Sequence, residues 1–78
     1  MTLVCKAGGF RIHVFPDDHP PPHVHVATDR AFIRVTIGEV IDYLSHDGTA
    51  NRRDITKGVS LVRAHIVACR IAWERLSN

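Results

Sequence analysis

The chain has 78 residues, of which 45% are hydrophobic and 23% are charged, and its formal net charge is +2 at pH 7. This length leaves room for one domain only, and this composition excludes a disordered chain, which would carry fewer apolar residues. No apolar run approaches the ~20 residues that cross a bilayer, so we expect no membrane-spanning segment.

The chain begins without the apolar core of a signal peptide, because Lys6 and the glycines that follow it interrupt the only short apolar run. We therefore expect a cytoplasmic protein. Residues 3–7 favour a short leading strand. Cys5 in this segment and Cys69 near the other end are expected to be free thiols in a reducing compartment, each buried as a small hydrophobic residue.

The next residues predict two strands that flank a proline-rich loop. Residues 10–15 alternate between apolar and polar, which is typical of a half-buried strand. Consecutive prolines fix φ and remove backbone donors, so residues 16–22 form an extended connection. A second alternating run starts at His23 and ends near Thr28, so His23 and His25 leave the same face of a sheet.

Residues 31–37 form the clearest strand of the sequence, because they alternate and are rich in β-branched side chains. A turn at Asp29-Arg30 precedes this strand. Residues 40–44 favour a weaker fourth strand. Residues 46–53 are predicted to be a loop, with Asp47-Gly48 as its turn signal.

After the loop, apolar residues recur at spacings of four and three, which predicts one helix over residues 54–76. Either Asp54 caps this helix, or Asn51 does so with Asp54 at the third helical position. The stripe that faces the sheet is Ile55, Val59, Val62, Ile66, Cys69, Trp73 and Leu76.

The C-terminal part is also the basic part of the chain. Residues 51–78 carry six Lys or Arg against two Asp or Glu, whereas residues 1–50 carry four against six. Such a bias is compatible with an acidic partner protein or with a phosphate backbone, and it does not choose between them.

These elements predict a single α+β domain over residues 1–78. A three- or four-stranded antiparallel meander occupies residues 1–45, a loop occupies residues 46–53, and one long C-terminal helix at residues 54–76 packs on one face of the sheet. A chain this short has little to cover its outer strands, so we expect a homodimer or a complex with another protein.

The expected hairpins place several polar side chains on one face. If Phe15 stands opposite His23, then His13 stands opposite His25; a turn at residues 29–30 then places His25 opposite Arg34. The same registers turn the strand valines towards the helix. The predicted polar surface on the other face consists of Arg11, His13, His23, His25, Arg34 and Thr36.

One functional interpretation of this surface is metal binding. His19, His23 and His25 offer nitrogen ligands at workable spacing, with Asp17, Asp18 or His13 nearby, and zinc is the ion that such ligands suit. The spacing permits a metal site and is not diagnostic of one.

Two other interpretations remain open. His13, His25 and Arg34 are the parts needed to cleave a phosphodiester of RNA, with one imidazole as base, one as acid, and the arginine against the developing charge. The side chains of Arg11, His19, His23 and Thr36 would then contribute to binding. Alternatively, His19 and His23 only brace the proline turn, and the open face binds another protein without catalysis.

The segment of residues 18–26, Asp-His-Pro-Pro-Pro-His-Val-His-Val, resembles the Asp-His-x-Pro-Pro-His-x-His-Val signature of a family of small bacterial domains of unknown function. The resemblance covers about residues 1–40. The later part departs from the family pattern: its connection at residues 47–53 is longer, and His65 stands where the family has a tryptophan, whereas Trp73 resembles a later family tryptophan.

The resemblance implies a small α+β fold and no established catalytic residue. Family members are often encoded beside a second small protein, in what look like toxin–antitoxin pairs. By this resemblance we expect a toxin-like protein with a cognate antitoxin-like small protein as its partner, and RNA as a candidate target.

Overall fold

The computed structural model describes residues 2–16 and 19–76, which form an α+β fold of five strands and two helices. The strands pair antiparallel in chain order, so the sheet is a meander. Both helices contact the sheet, and neither is long and apolar enough to cross a membrane. The elements are β1 (Thr2–Ala7), β2 (Phe10–Val14), β3 (His23–Ala27), β4 (Ala31–Ile37), β5 (Ile41–Gly48), α1 (Arg52–Ala64) and α2 (Ile66–Leu76).

The α+β class and the antiparallel meander agree with the prediction, but the sheet has five strands rather than three or four. The expected leading strand is present as β1. Two glycines at φ values of 55° and 80°, Gly8 and Gly9, make the two-residue turn into β2.

The predicted loop at residues 46–53 is wrong in its first part, because β5 continues to Gly48. Gly48 has a φ of 83°, and a Cβ atom there would collide with the carbonyl oxygen of Arg30. That carbonyl accepts a hydrogen bond of 3.0 Å from the amide of Thr49. Asp47-Gly48 therefore ends the β4–β5 ladder instead of turning a loop.

The single helix predicted over residues 54–76 is also wrong: the structure has two helices that meet at His65. His65 leaves helical geometry at φ −118° and ψ 28°, and its ring Nδ1 lies 3.0 Å from the carbonyl oxygen of Leu61. The break lets α1 contact β4 and β5 while α2 reaches β1 to β4. Because sheets twist, two segments follow these strands better than one straight helix.

The first helix begins at Arg52 and has a capping box at its start. Of the two predicted caps, the structure has the one in which Asn51 is the N-cap and Asp54 occupies the third helical position. The Asn51 side chain accepts from the amide of Asp54 at 2.8 Å, and the Asp54 carboxylate accepts from the amide of Asn51 at 3.4 Å. Two backbone donors that the first turn cannot satisfy internally are thereby paired. This is why the helix starts two residues before the predicted position.

The core lies between the helices and one face of the sheet, and Gly58 marks a close approach between them. A Cβ atom at Gly58 would lie 3.5 Å from Val26 and 3.7 Å from Ile33, so α1 rests directly on β3 and β4. Both cysteines are free, with Cys69 fully buried and Cys5 partly buried. The fully enclosed residues are Ile12, Val14, Val24, Val26, Ile33, Ile37, Val35, Val62 and Cys69.

We predict that Val62→Asp destabilises the protein by about 3–5 kcal/mol, because it leaves an unpaired charge in this core. Val62 is fully buried, whereas Val67, just beyond the helix break, is 68% exposed. Urea denaturation of Val67→Asp should therefore differ from the parent by no more than ~0.5 kcal/mol. Equal losses in the two variants would mean that the helices do not pack on the sheet in this way.

Candidate functional site

A row of polar side chains crosses four strands on the sheet face that lies away from the core. His13 pairs with His25, His25 pairs with Arg34, and Arg34 pairs with Ser45. We call these four residues the histidine row. The predicted registers of β3 with β2 and β4 are confirmed, including His23 opposite Thr36, Val24 opposite Val35 and Val26 opposite Ile33.

The histidines of this face are buried, which corrects the expectation of an open polar surface. His13, His23 and His25 are only 9%, 8% and 9% exposed. The predicted pair of Phe15 with His23 is absent from the ladder, since β2 ends at Val14. The Phe15 ring instead meets the imidazole of His25 edge-on, with 4.5 Å between ring centroids.

Four rings form a continuous aromatic chain from β2 to α2. Beyond the contact of Phe15 with His25, the rings of His25 and His23 lie 5.2 Å apart, and those of His23 and Trp73 lie 5.4 Å apart. The His23 Nδ1 also donates to the carbonyl oxygen of Pro21 at 2.7 Å. Ring contacts at these separations are favourable, so the chain ties the proline loop and α2 to the sheet.

The guanidinium of Arg34 is held by β5. One terminal nitrogen donates to the Ser45 hydroxyl at 3.0 Å, and the other forms an ion pair with the Asp47 carboxylate. These contacts orient Arg34 and partly neutralise it. Sequence reasoning missed Ser45 and Asp47 because it ended the fourth strand at residue 44. A register shift between Arg34 and Val35, which alternation does not reveal, is what places Ser45 opposite Arg34.

The remaining predicted binding residues are not brought together. Thr36 donates its hydroxyl to the Val40 carbonyl within the β4–β5 turn, and Arg11 is half-buried on β2, two residues before His13. His19 is exposed in the proline loop. His46, expected in a loop, lies in β5, where its Nδ1 is 2.8 Å from the hydroxyl of Tyr43.

The predicted metal ligands do not converge in the part of the chain that is described. Within residues 2–16 and 19–76, no group of three or more His, Cys, Asp or Glu side chains is arranged to hold a metal ion. The set of His19, His23 and His25 is therefore not assembled from these residues alone. Asp17 and Asp18, which we expected nearby, lie outside the described residues.

A second candidate surface lies at the first edge of the sheet. An apolar groove of about 600 Å³ runs between β1 and α2. We call it the β1–α2 groove. Its lining residues are Thr2, Leu3, Val4, Ala68, Ile71, Ala72, Arg75 and Leu76.

The Nδ1 of His13, in the histidine row, is buried without a hydrogen-bond partner among the described residues. Burial lowers the pKa of His13 below the ordinary 6.5, and the positive charge of Arg11 lowers it further. Both causes disfavour the imidazolium. His13 is therefore neutral at neutral pH and available as a proton acceptor.

This environment predicts a pH dependence of stability. Because the folded-state pKa of His13 is lowered, the unfolded chain binds more protons as the pH falls through about 6.5. The stabilisation present above that pH is lost as the pH falls through the folded-state pKa. Replacing His13 with Phe keeps an aromatic ring and removes the titration, so its melting temperature should fall less between pH 7 and pH 5 than that of the parent.

Arg11→Met tests whether the positive charge of Arg11 lowers the pKa of His13. This variant should also show a weaker pH dependence of stability than the parent. The parent, His13→Phe and Arg11→Met are compared by thermal melts at each pH. Parallel curves for all three proteins would contradict the neutral, buried state assigned to His13.

Comparison with known proteins identifies the family of the chain. Residues 9–74 match the family described as Domain of unknown function (DUF4160). No curated protein matches the chain, and neither does any solved structure. The matched segment contains the whole histidine row and most of α2. Since the match covers most of its length, the chain belongs to this family of domains of unknown function.

Proposed function

We propose that this protein is the toxin-like member of a bacterial toxin–antitoxin pair, acts in the cytoplasm, and binds a small acidic partner protein along β1 and α2. The toxin–antitoxin assignment is inferred from the resemblance of residues 18–26 to the family signature. The observation that carries the binding surface is an open strand edge beside an apolar groove.

The edge of β1 is the less protected edge of the sheet. As the first strand of the meander, β1 pairs only with β2, so the backbone groups on its other side can pair with an added strand. The opposite edge, β5, carries Asp42 and Asp47, which would repel an acidic partner, whereas the charged side chain on β1 is Lys6. No carboxylate lies on β1.

The β1–α2 groove offers sites for apolar side chains of an added strand. Leu3 and Ile71 line it and are 51% and 44% exposed. An extended peptide paired with β1 presents alternate side chains to one side. Those on the side of α2 would enter the groove and bury Leu3 and Ile71.

The charges around this surface favour an acidic partner. Lys6 lies on β1 and Arg75 lines the groove, and no carboxylate of the described residues forms an ion pair with either. By contrast, Arg63 and Arg70 donate to backbone carbonyls of the sheet. Edge pairing of two copies would bring like charges together, whereas an acidic partner would neutralise them.

Binding can be tested with two surface residues that are equally exposed. Ile71 in the groove and Leu44 on β5 are each 44% exposed. We expect Ile71→Asp to weaken binding of the protein encoded by the neighbouring gene by at least ~10-fold, because it places a charge in an apolar contact. Leu44→Asp should change the affinity less than ~2-fold, with both variants melting close to the parent.

Affinity is measured by titration calorimetry at two salt concentrations, and higher salt should weaken binding to an acidic partner. If Ile71→Asp and Leu44→Asp weaken binding equally, the partner does not bind at the groove. Light scattering is used to test for a homodimer. If the parent is a dimer and Ile71→Asp is a monomer, the groove binds a second copy of this chain and not an acidic partner.

RNA cleavage is the second candidate function, and it is favoured by the register that sets His13, His25 and Arg34 side by side. Neutral His13 would accept the proton of a ribose 2′-hydroxyl as it attacks the phosphate. His25, when protonated, would donate a proton to the leaving 5′-oxygen, and Arg34 would stabilise charge on the phosphate. Both imidazoles are buried, so the side chains that cover them would have to move before RNA could enter.

We predict that His25→Asn abolishes RNA cleavage and growth inhibition if this row is catalytic, while His46→Asn, outside the row, retains both. Because His25 is buried, the melting temperature of the variant must be measured beside its activity. Full growth inhibition by a folded His25→Asn protein would end the catalytic interpretation and leave partner binding as the function of the chain.

A further inference from the structure

A cluster of two thiols and one imidazole joins β1 to the break between the helices. The Sγ atom of Cys5 lies 3.4 Å from Nε2 of His65, a hydrogen-bond distance for sulfur. Cys69 follows His65 by one helical turn, and its amide donates to the His65 carbonyl at 3.0 Å. Side chains four residues apart share a helix face, so Cys69 lies on the face that His65 presents to Cys5.

The hydrogen bonds of His65 determine which of its nitrogens can accept a proton. Its Nδ1 lies 3.0 Å from the Leu61 carbonyl oxygen, which can only accept, so Nδ1 carries a hydrogen. In the neutral ring, Nε2 then holds a lone pair directed at the Cys5 thiol. A thiol beside such an acceptor can form a thiolate–imidazolium pair, and the thiolate is the nucleophile in cysteine chemistry.

The two cysteines differ in accessibility. Cys5 is partly buried in the edge strand, which leaves room for a small neutral oxidant. Cys69 is fully buried, and burial together with the nearby Cys5 raises the pKa of its thiol to about 11. Cys69 is therefore protected from direct oxidation, and Cys5 packs against the buried core cluster to which Cys69 belongs.

We propose that Cys5 is a peroxide-reactive thiol, that His65 accepts its proton, and that Cys69 resolves the oxidised sulfur into a Cys5–Cys69 disulfide. This thiol chemistry requires neither partner binding nor RNA cleavage. The oxidant is hydrogen peroxide, and the product links β1 covalently to α2.

The chemistry balances in two steps. The Cys5 thiolate attacks one peroxide oxygen, an S–O bond forms as the O–O bond breaks, and the departing hydroxide takes the proton from His65 to become water. The Cys69 sulfur then attacks the Cys5 sulfur, and the S–O bond breaks as the S–S bond forms. The second hydroxide leaves with the Cys69 proton as water, so two thiols and one hydrogen peroxide give one disulfide and two waters.

The test treats the reduced full-length protein with hydrogen peroxide and follows its intact mass after alkylation of remaining thiols. We expect the loss of two hydrogens, no alkylation, and a Cys5–Cys69 peptide in a non-reducing digest. The oxidised protein should melt ~10 °C or more above the reduced one, because the crosslink closes a long loop. Cys69→Ser should instead gain one oxygen on Cys5, trapped by a sulfenic-acid reagent.

The role of His65 is tested with His65→Gln and with His46→Gln as the control histidine. At pH 7, His65→Gln should slow oxidation at least ~10-fold, and its rate should keep rising with pH towards about 8.5, the ordinary cysteine pKa. His46→Gln should react at the parent rate.

Should His65→Gln fail to fold, alkylation of Cys5 in the parent at pH 7 tests the same contact, since a thiol beside a proton acceptor should react faster in the folded protein than in urea. Three results would overturn the proposal: a disulfide between chains, parent-rate oxidation in folded His65→Gln, or a Cys5 that reacts no faster in the folded protein than in urea.

Discussion

The structure depends on the burial of β3 on both of its faces. Every residue from His23 to Ala27 is buried: the valines point into the core beneath the helices, and the histidines point into the ring contacts with Phe15 and Trp73. A central strand with one polar face would ordinarily leave that face in water. Here the imidazoles are covered, so β3 tolerates no change of register: a slip of one residue would place valines among the rings and histidines in the core.

Much of this arrangement could be predicted from the sequence because local patterns specify it. Alternation in residues 23–28 and 31–37, with a two-residue turn between them, determines the β3–β4 register, and the opposed valines leave no second solution. The burial of the histidines could not be predicted in this way. It requires Trp73, fifty residues away in sequence, to reach His23 from α2, and alternation carries no information about such a contact.

Two predicted boundaries are wrong for related reasons: the end of the fifth strand, which the sequence places before residue 46, and the single helix over residues 54–76, which breaks at His65. Asp47-Gly48 is a turn signal in isolation, yet Gly48 is needed where the chain passes the Arg30 carbonyl, which is a contact between strands. The helix break at His65 leaves the spacing of Val62, Ile66 and Cys69 unchanged, so the apolar stripe continues through it. What distinguishes His65 is its side chain, which contacts Leu61 within the helix and Cys5 on β1.

The apolar groove and the contact of Cys5 with His65, which sequence reasoning missed, both involve β1. This strand has no fully buried residue, so burial anchors it more weakly than the strands at the centre of the sheet. Its outer edge is open, its groove with α2 is apolar, and Cys5 is its polar contact with the helix break. A partner strand added to β1 and a disulfide from Cys5 to Cys69 would both restrain this weakly buried strand, one by backbone pairing and the other by a covalent bond. Whichever forms first lowers the entropy that the other must overcome, so the two are expected to reinforce each other.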